Sequence, residues 1–314
     1  MTPSRANLAD YGLVIAVVVV VGALMLLSPA FREPGNLIGI GRQVAILGIA
    51  AAAMTFVILS GEIDLSVGAV ASASAVVTAL ALAQGWGALA IPVGLLVGGT
   101  FGLLNGLLVV HVAVPSFIAT LVSYFIAQGV ALTLTGGQTI LFDVEWFRAL
   151  FATGSVLGNR TAFWWLVIVA LALWWLLART RFGANTYALG GDAESASMLG
   201  LPVGRLRIAI FAMTGALMGL VGMILIARIG NARADGGIGL EFDAIAAAVI
   251  GGTRLGGGYG AMPRTMLGVL LIGVLNNGLA ILNVDFNTQQ VIKGVLVIAV
   301  VLIDRWARGR EARQ

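Results

Sequence analysis

The sequence has no cysteine among its 314 residues, and histidine and lysine occur once each, at His111 and Lys293. Without cysteine the chain cannot form a disulfide, a thiolate metal site or a cysteine nucleophile. A lone histidine cannot supply a zinc cluster and is a weak basis for histidine-dependent catalysis. We therefore predict no metal site, no cofactor and no catalytic residues.

Charge is also scarce. Only 10% of the residues are charged, and none occurs between Leu65 and Phe142, whereas a soluble domain carries roughly a quarter. The formal net charge of +4 comes from arginines scattered over connecting segments, without the stripe typical of a nucleic-acid binder. We predict no nucleic-acid partner, and we interpret the arginines as loop anchors on the cytoplasmic side of a membrane.

Apolar runs long enough to cross a bilayer recur along the chain, and runs such as Tyr11 to Pro29 lack the alternation of barrel strands. This pattern predicts an all-α polytopic membrane protein with about ten transmembrane helices. The first run follows a short polar start without a cleavage pattern, so we interpret it as a helix and not a signal peptide. The predicted spans are Tyr11–Ser28, Val44–Leu59, Val67–Ala83, Ala88–Val110, Ser116–Thr135, Ala162–Ala178, Ile208–Ala227, Phe242–Thr253, Thr265–Leu282 and Thr288–Ile303.

Two predicted spans, Val44–Leu59 and Phe242–Thr253, are short and end beside glycine-rich, acid-bearing sequence, which suggests broken or re-entrant helices.

With the N-terminus inside, the larger arginine set falls on inner segments and a smaller set, including Arg42, on outer ones. Because positive residues favour the cytoplasmic side, both termini are predicted to be cytoplasmic.

Similarity between two segments of the sequence suggests an internal repeat. Gly102 to Gly106 resembles Gly273 to Gly278, and the two predicted spans that contain them run in opposite directions. An inverted repeat of five plus five helices would produce this relation, with half-repeats at 1–150 and 160–305 in a single domain covering 1–314. Chance similarity between helices rich in glycine, leucine and asparagine is the alternative.

Glycines recur every fourth residue at Gly94, Gly98, Gly102 and Gly106, and Gly215 and Gly219 repeat the spacing. Since lipid gives helices no hydrophobic reason to associate, smooth faces that allow close approach are typical of helix contacts. We interpret these glycines as packing positions.

Glu62 and Asp64 stand between apolar runs, in the segment Ser60 to Gly68. Intramembrane acids usually face a cavity, a partner or a substrate, which suggests a translocation path or gate. The segment could instead lie at the cytoplasmic edge, and Asp64 could cap the following helix.

The loop from Arg179 to Arg207 (179–207) is too polar to span. From Asp192 onward, Ala196, Met198 and Leu199 are predicted to line one side of a short helix ended by Gly200. Such a helix can insert into a groove of a partner protein, or it can be a surface connector lying on lipid headgroups.

Glycines also crowd the segment Glu241 to Gly260, but GxxxxGK[ST] is absent. The chain therefore has no phosphate-binding loop of that type. If ATP drives its action, another subunit hydrolyses it.

Four segments carry a family resemblance: Ser60–Gly68, Gly102–Leu121, Ala188–Leu201 and Glu241–Gly260. Together they resemble the integral membrane permease of bacterial ABC-type monosaccharide importers, the ribose, xylose, arabinose and galactose permeases. The match follows the same order over nearly the whole chain. Glu62, Asp192 and Arg254 depart from the family pattern, which puts the pathway chemistry, not the family, in question.

The resemblance implies location in the bacterial inner membrane and several partners. These are a second permease copy or paralogue, a periplasmic or extracellular sugar-binding protein, and a cytosolic ATPase, with lipid around the helices. It also implies that the short helix predicted from Asp192 onward docks on the ATPase. The predicted coupling residues are Gly190, Gly191, Asp192, Glu194, Ala196, Met198, Leu199, Gly200 and Leu201.

Polar residues inside spans are candidate linings of the path or gate, although asparagine and glutamine also bond neighbouring helices. The candidates are Glu62, Asp64, Ser66, Asn105, Asn276 and Asn277, with Gln289 and Gln290 beside them. Three other functions stay open: a permease for branched-chain amino acids, a stand-alone carrier that titrates Glu62 and Asp64, and a membrane enzyme. The segments Gly61–Gly68 and Ala188–Asp192 favour sugar over amino acids.

Overall fold

The computed structural model describes residues 8–285, 288–289, 291–292, 294–295 and 298. Its helices are α1 (Leu8–Leu27), α2 (Pro34–Leu59), α3 (Val67–Ala83), α4 (Ala90–His111), α5 (Ser116–Thr135), α6 (Glu145–Arg148), α7 (Thr161–Arg179), α8 (Arg181–Gly191), α9 (Ala193–Met198), α10 (Val203–Ile229), α11 (Leu240–Ile250) and α12 (Met262–Ile281). The predicted span Thr288–Ile303 and the arginines beyond it fall largely outside the described residues.

Six stretches are helical, long and apolar enough to cross a membrane, and they confirm the helical prediction within the described ranges: Pro34–Leu59, Gly87–His111, Ser116–Thr135, Thr161–Arg179, Val203–Ile229 and Met262–Ile281. Gly12–Leu27 and Val67–Ala83 are apolar but shorter. The short predicted span Phe242–Thr253 corresponds to α11.

The prediction for the second helix was wrong. It set the start at Val44 and placed Arg42 in an outer loop, but α2 already begins at Pro34, where proline fits the first turn of a helix. Asn36 exchanges two hydrogen bonds with Asn277 of α12, at 3.1 and 2.8 Å. A polar side chain with such a partner can stay inside a membrane helix.

Two short antiparallel sheets mark one face of the bundle. Strand β1 (Ile140–Leu141) pairs with β4 (Asn231–Ala232), and β2 (Ser155–Val156) pairs with β3 (Asn159–Arg160). Helices α8 and α9 connect α7 to α10 at the opposite ends of those two helices. We call the sheet side the outer face and the side of α8 and α9 the inner face.

Helix α2 lies at the centre of the bundle, and every residue from Val44 to Leu59 is buried. Helix α10 packs along α4 through the predicted glycines. A Cβ atom added to Gly98 would lie 2.8 Å from the backbone nitrogen of Gly219, and one added to Gly215 would lie 2.8 Å from the Cα atom of Gly102. The packing interpretation of these glycines is therefore confirmed.

Candidate functional site

The chain does not leave the bundle after α2. Residues 60–66, which we call the re-entrant segment, run between α4 and α5 to the start of α3. The amide of Ile63 donates to Ser116 Oγ at 3.2 Å, and that of Leu65 donates to Thr120 Oγ1 at 3.1 Å. Because Leu65 meets Thr120 in the second turn of α5, α3 begins inside the bundle and not at its inner face.

Asp64 lies at the inner end of a buried hydrogen-bond chain, with only 2% of its surface exposed. Its Oδ1 accepts the amide of Ser66 at 2.8 Å and the hydroxyl of Ser66 at 2.6 Å. Asn105 Nδ2 donates to Ser66 Oγ at 3.0 Å, and Ser123 Oγ donates to Asn105 Oδ1. Three predicted path residues thus meet, and Asp64 satisfies the amide just before α3.

The partners on α5 were missed from the sequence. Ser116, Thr120 and Ser123 recur at helical spacing, so one polar face within an apolar helix was the available signal. All three are buried. Ser116 and Thr120 satisfy amides that the break between α2 and α3 leaves in the bundle, and Ser123 satisfies the side chain of Asn105.

Glu62 does not join the hydrogen-bond chain of Asp64, Ser66 and Asn105. Its carboxylate forms an ion pair of 2.8 Å with the guanidinium of Arg207, with side-chain exposures of 11% and 28%. Arg207 belongs to the first turns of α10. Glu62 therefore ties the re-entrant segment to α10, whereas Asp64 bonds within the segment to Ser66, which in turn bonds Asn105 of α4.

A second acid lies at the start of a short helix. Glu241 is 2% exposed, and its Oε1 accepts the amide of Gly239 at 3.1 Å. The segment before it turns back into the bundle, where the amide of Gly237 donates to Ser72 Oγ of α3 at 2.8 Å. Sequence reasoning considered Glu241 only as the start of a glycine-rich segment.

The two neighbouring asparagines of α12 have different surroundings. Asn277 is the partner of Asn36 and is buried. Asn276 lines a cavity of about 150 Å³ together with Gln43, Arg228 and Asp243. Of the two glutamines considered, Gln289 donates to the carbonyl of Val284 at 2.8 Å, and Gln290 lies outside the described residues.

The inner-face loop contains two helices, of which α8 was not predicted. Asp192 caps α9, because its Oδ1 accepts the amides of Glu194 and Ser195 at 3.0 and 3.1 Å. The hydroxyl of Ser195, 2.6 Å from Oδ2, is the largest cause of the lowered pKa of Asp192.

The predicted apolar side of this helix was partly wrong. Ala196 is buried against the protein, whereas Met198 and Leu199 are 78% and 83% exposed. The reason is that the short helix turns its middle toward the bundle and its end away from it. The exposed apolar surface of this helix is therefore at its end, at Met198 and Leu199.

The end of α8, the re-entrant segment and the loop between α11 and α12 meet at a contact that we call the glycine junction. It comprises Gly61, Gly190, Gly257 and Gly258. The amide of Gly258 donates to the carbonyl of Leu59 at 2.9 Å. A Cβ atom on Gly190 would lie 2.6 Å from the nitrogen of Gly258, and one on Gly257 would lie 2.9 Å from the Cα atoms of both Gly190 and Gly61.

Nearby, the hydroxyl of Tyr187 in α8 donates to the carbonyl of Gly260 at 2.8 Å. Gly191 is next in sequence to Gly190, yet an added Cβ atom there would meet nothing within 4 Å. Of these two glycines, only Gly190 therefore lacks room for a side chain, and α8 touches both the segment that precedes α3 and the loop that follows α11.

The family model described as branched-chain amino acid transport system / permease component matches residues 36–301. A ribose import permease from Bacillus subtilis is 41% identical over 94% of this chain and 91% of its own length. An L-arabinose ABC transporter permease from Azospirillum brasilense is 34% identical over 95% and 88%. A D-allose transport system permease from Escherichia coli is 37% identical over 94% and 91%. No solved structure matches the chain. The chain belongs to this family of transport-system membrane permeases.

Proposed function

We propose that the chain is the membrane permease subunit of an ATP-driven importer of a monosaccharide, a pentose or a hexose. The observation that carries the proposal is similarity over nearly the full length to permeases named for ribose, L-arabinose and D-allose. The family description mentions branched-chain amino acids. The matches to the sugar permeases, however, cover nearly all of this chain and nearly all of each relative. The protein is a multi-pass protein of the bacterial inner membrane.

The architecture that fits this function is one domain, residues 1–314, with about ten spans, both termini cytoplasmic and half-repeats at 1–150 and 160–305. Two units support the repeat. In each, a long helix (α2 or α10) is followed by a segment that turns back into the bundle, and a short helix (α3 or α11) then begins at a buried acid. Transporters built from inverted repeats place such broken helices around the substrate path.

The remaining subunits would do what this chain does not. We assign ATP hydrolysis to a separate cytosolic ATPase and sugar capture to a soluble binding protein. A second permease copy or a paralogue would complete the path. The coupling surface would be the end of α9, because Met198 and Leu199 expose apolar surface at the inner face, and the glycine junction would transmit motion from α8.

Asp64, Ser66 and Asn105 would hold the start of α3 in place, and Glu62 would secure the inner end of the re-entrant segment. A proton-coupled carrier would need Glu62 and Asp64 to act as a pair. Their separate partners, Arg207 and Ser66, favour positioning roles instead.

Reconstitution tests the proposed function. Vesicles that contain the permease, its ATPase and its binding protein should accumulate a labelled pentose or hexose only when ATP is present, and vesicles with the permease alone should accumulate nothing. Concentrative uptake by the permease alone under a pH gradient would contradict the proposal, and so would ATP-driven uptake of leucine without uptake of any sugar.

A further inference from the structure

We propose that the cavity beside Asn276 is a low-affinity monosaccharide site within the permease. This inference rests on the proposed function and adds the place where the permease itself contacts the sugar. The cavity has a volume of about 150 Å³, which corresponds to roughly five waters at about 30 Å³ each. It is therefore sized for a small polar molecule.

Four helices each contribute one polar side chain to this cavity. They are Gln43 of α2, Arg228 of α10, Asp243 of α11 and Asn276 of α12, and apolar walls include Leu47 and Leu225. Polar side chains within membrane helices are costly and usually serve a partner, a path or a ligand. A contact between two helices would not need polar side chains from four helices, so their convergence on one space favours a ligand or a path.

The matching position in the first half behaves differently. Asn105 corresponds to Asn276 in the echoed glycine and asparagine pattern, but its amide is used by Ser66 and Ser123. The side-chain amide of Asn277 likewise donates to Asn36. Asn105 and Asn277 therefore show how asparagine joins helices in this protein, whereas Asn276 borders an open space.

The chemistry of the lining fits a sugar. The amides of Gln43 and Asn276 both donate and accept hydrogen bonds, the carboxylate of Asp243 accepts them, and the guanidinium of Arg228 donates them. A sugar hydroxyl likewise both donates and accepts, and the C–H faces of the ring suit apolar walls. Affinity has to be low, because a transport path that binds tightly releases slowly.

The position also fits delivery from outside. Arg228 lies in the last turn of α10, close to the outer face. Asp243 lies in the first turn of α11, beside the buried start of that helix. A sugar released at the outer face would reach this cavity before it reached the re-entrant segment.

The absence of cysteine allows a direct test. Asn276→Cys and Gln43→Cys each introduce one thiol, and Asn277→Cys is the control on the neighbouring residue. Each variant is reconstituted with the ATPase and the binding protein and treated from outside with a charged, membrane-impermeant thiol reagent. Labelling of the permease band is followed with millimolar ribose, arabinose, allose or leucine present, and sugar uptake by the unsubstituted complex is measured in parallel.

We expect at least one sugar to slow labelling at positions 276 and 43 by fivefold or more, leucine to have no effect, and position 277 to label slowly with no response to sugar. Labelling should also reduce sugar uptake at least tenfold in the first two variants. If the complex transports sugar but no sugar slows labelling, the cavity proposal fails alone. If leucine protects instead, the assigned ligand class is wrong. If the unsubstituted complex transports no sugar, the proposed function fails and the sugar site with it.

If a cysteine variant fails to assemble, Asn276→Leu and Gln43→Met keep the volume of each side chain and remove its polar group. Uptake tenfold below that of the unsubstituted complex, with ATP hydrolysis still stimulated by the loaded binding protein, would support the site. Unchanged uptake in both variants would overturn it.

Discussion

Glu62 and Arg207 form an ion pair of 2.8 Å that joins the re-entrant segment to the first turns of α10. The two residues are far apart in sequence. The pair fixes the inner end of the segment that carries Asp64.

Arg207→Met removes the cation and leaves the carboxylate of Glu62 largely buried without its partner. We expect slower uptake and a loss of about 1–3 kcal/mol in the free energy of unfolding. In a thermodynamic cycle with Glu62→Gln, followed by thermal unfolding in detergent, the pair should show a coupling of about 1 kcal/mol. Additive effects of the two substitutions would show that the ion pair contributes nothing.

Gly190→Ala should impair transport, because the new methyl group must displace the backbone of Leu59 or Gly258. We expect sugar uptake to fall at least tenfold while ATP hydrolysis continues. Gly191→Ala is the matched control, since its methyl group meets open space. Equal uptake by the two variants would contradict a role of the glycine junction in transmission.

Gly98→Ala should destabilise the contact between α4 and α10. The added methyl group would lie 2.8 Å from the nitrogen of Gly219, and overpacking of this kind costs about 1–3 kcal/mol. Gly99→Ala is the control, since the nearest atom to its methyl group is 3.8 Å away. Thermal unfolding of both variants in detergent checks the difference, and equal midpoints would argue against close packing at Gly98.

Local signals in the sequence predicted much of this arrangement. The apolar runs predicted most of the described spans, the glycine spacing predicted close packing along those helix faces, and Asp64 was expected either in a path or at the start of α3. Each of these features depends on neighbours within a few turns of one helix.

Features that depend on distant partners were not predictable in the same way. The start of α2 was placed too late because Asn36, Arg42 and Gln43 look like loop residues, and Asn277, the partner of Asn36, lies 241 positions away. Hydropathy also cannot show that the re-entrant segment turns inward between α4 and α5. Nor does it separate Asn276 from Asn277, which differ only in the direction each side chain takes from α12.

Asp192 should stabilise α9 as its N-cap residue. Asp192→Ala removes the acceptor of two backbone amides, so we expect the end of α9 to loosen and coupling to weaken, whereas Asp192→Asn keeps an oxygen acceptor and should retain most activity. The pKa of this carboxyl is lowered from its ordinary value of 3.8. Its contribution is therefore complete above that value and is lost as pH falls through the lower folded-state pKa. Hydrogen exchange of the α9 amides, measured at neutral and acidic pH, checks both effects, and identical exchange in Asp192→Ala and the unsubstituted chain would refute the cap.

Leu199→Ser should weaken binding of the ATPase without unfolding the permease, because the side chain is 83% exposed at the inner face. Burial of an exposed leucine side chain against a partner contributes about 1.5–3 kcal/mol. We expect co-purification with the ATPase and sugar-dependent ATP hydrolysis to fall at least fivefold, and Glu194→Ala to uncouple hydrolysis from uptake in the same assay. Leu157→Ser is the control, since Leu157 is 85% exposed in the outer-face hairpin and has the same chemistry on the opposite side. If the two serine variants bind the ATPase equally well, the end of α9 is not the coupling surface.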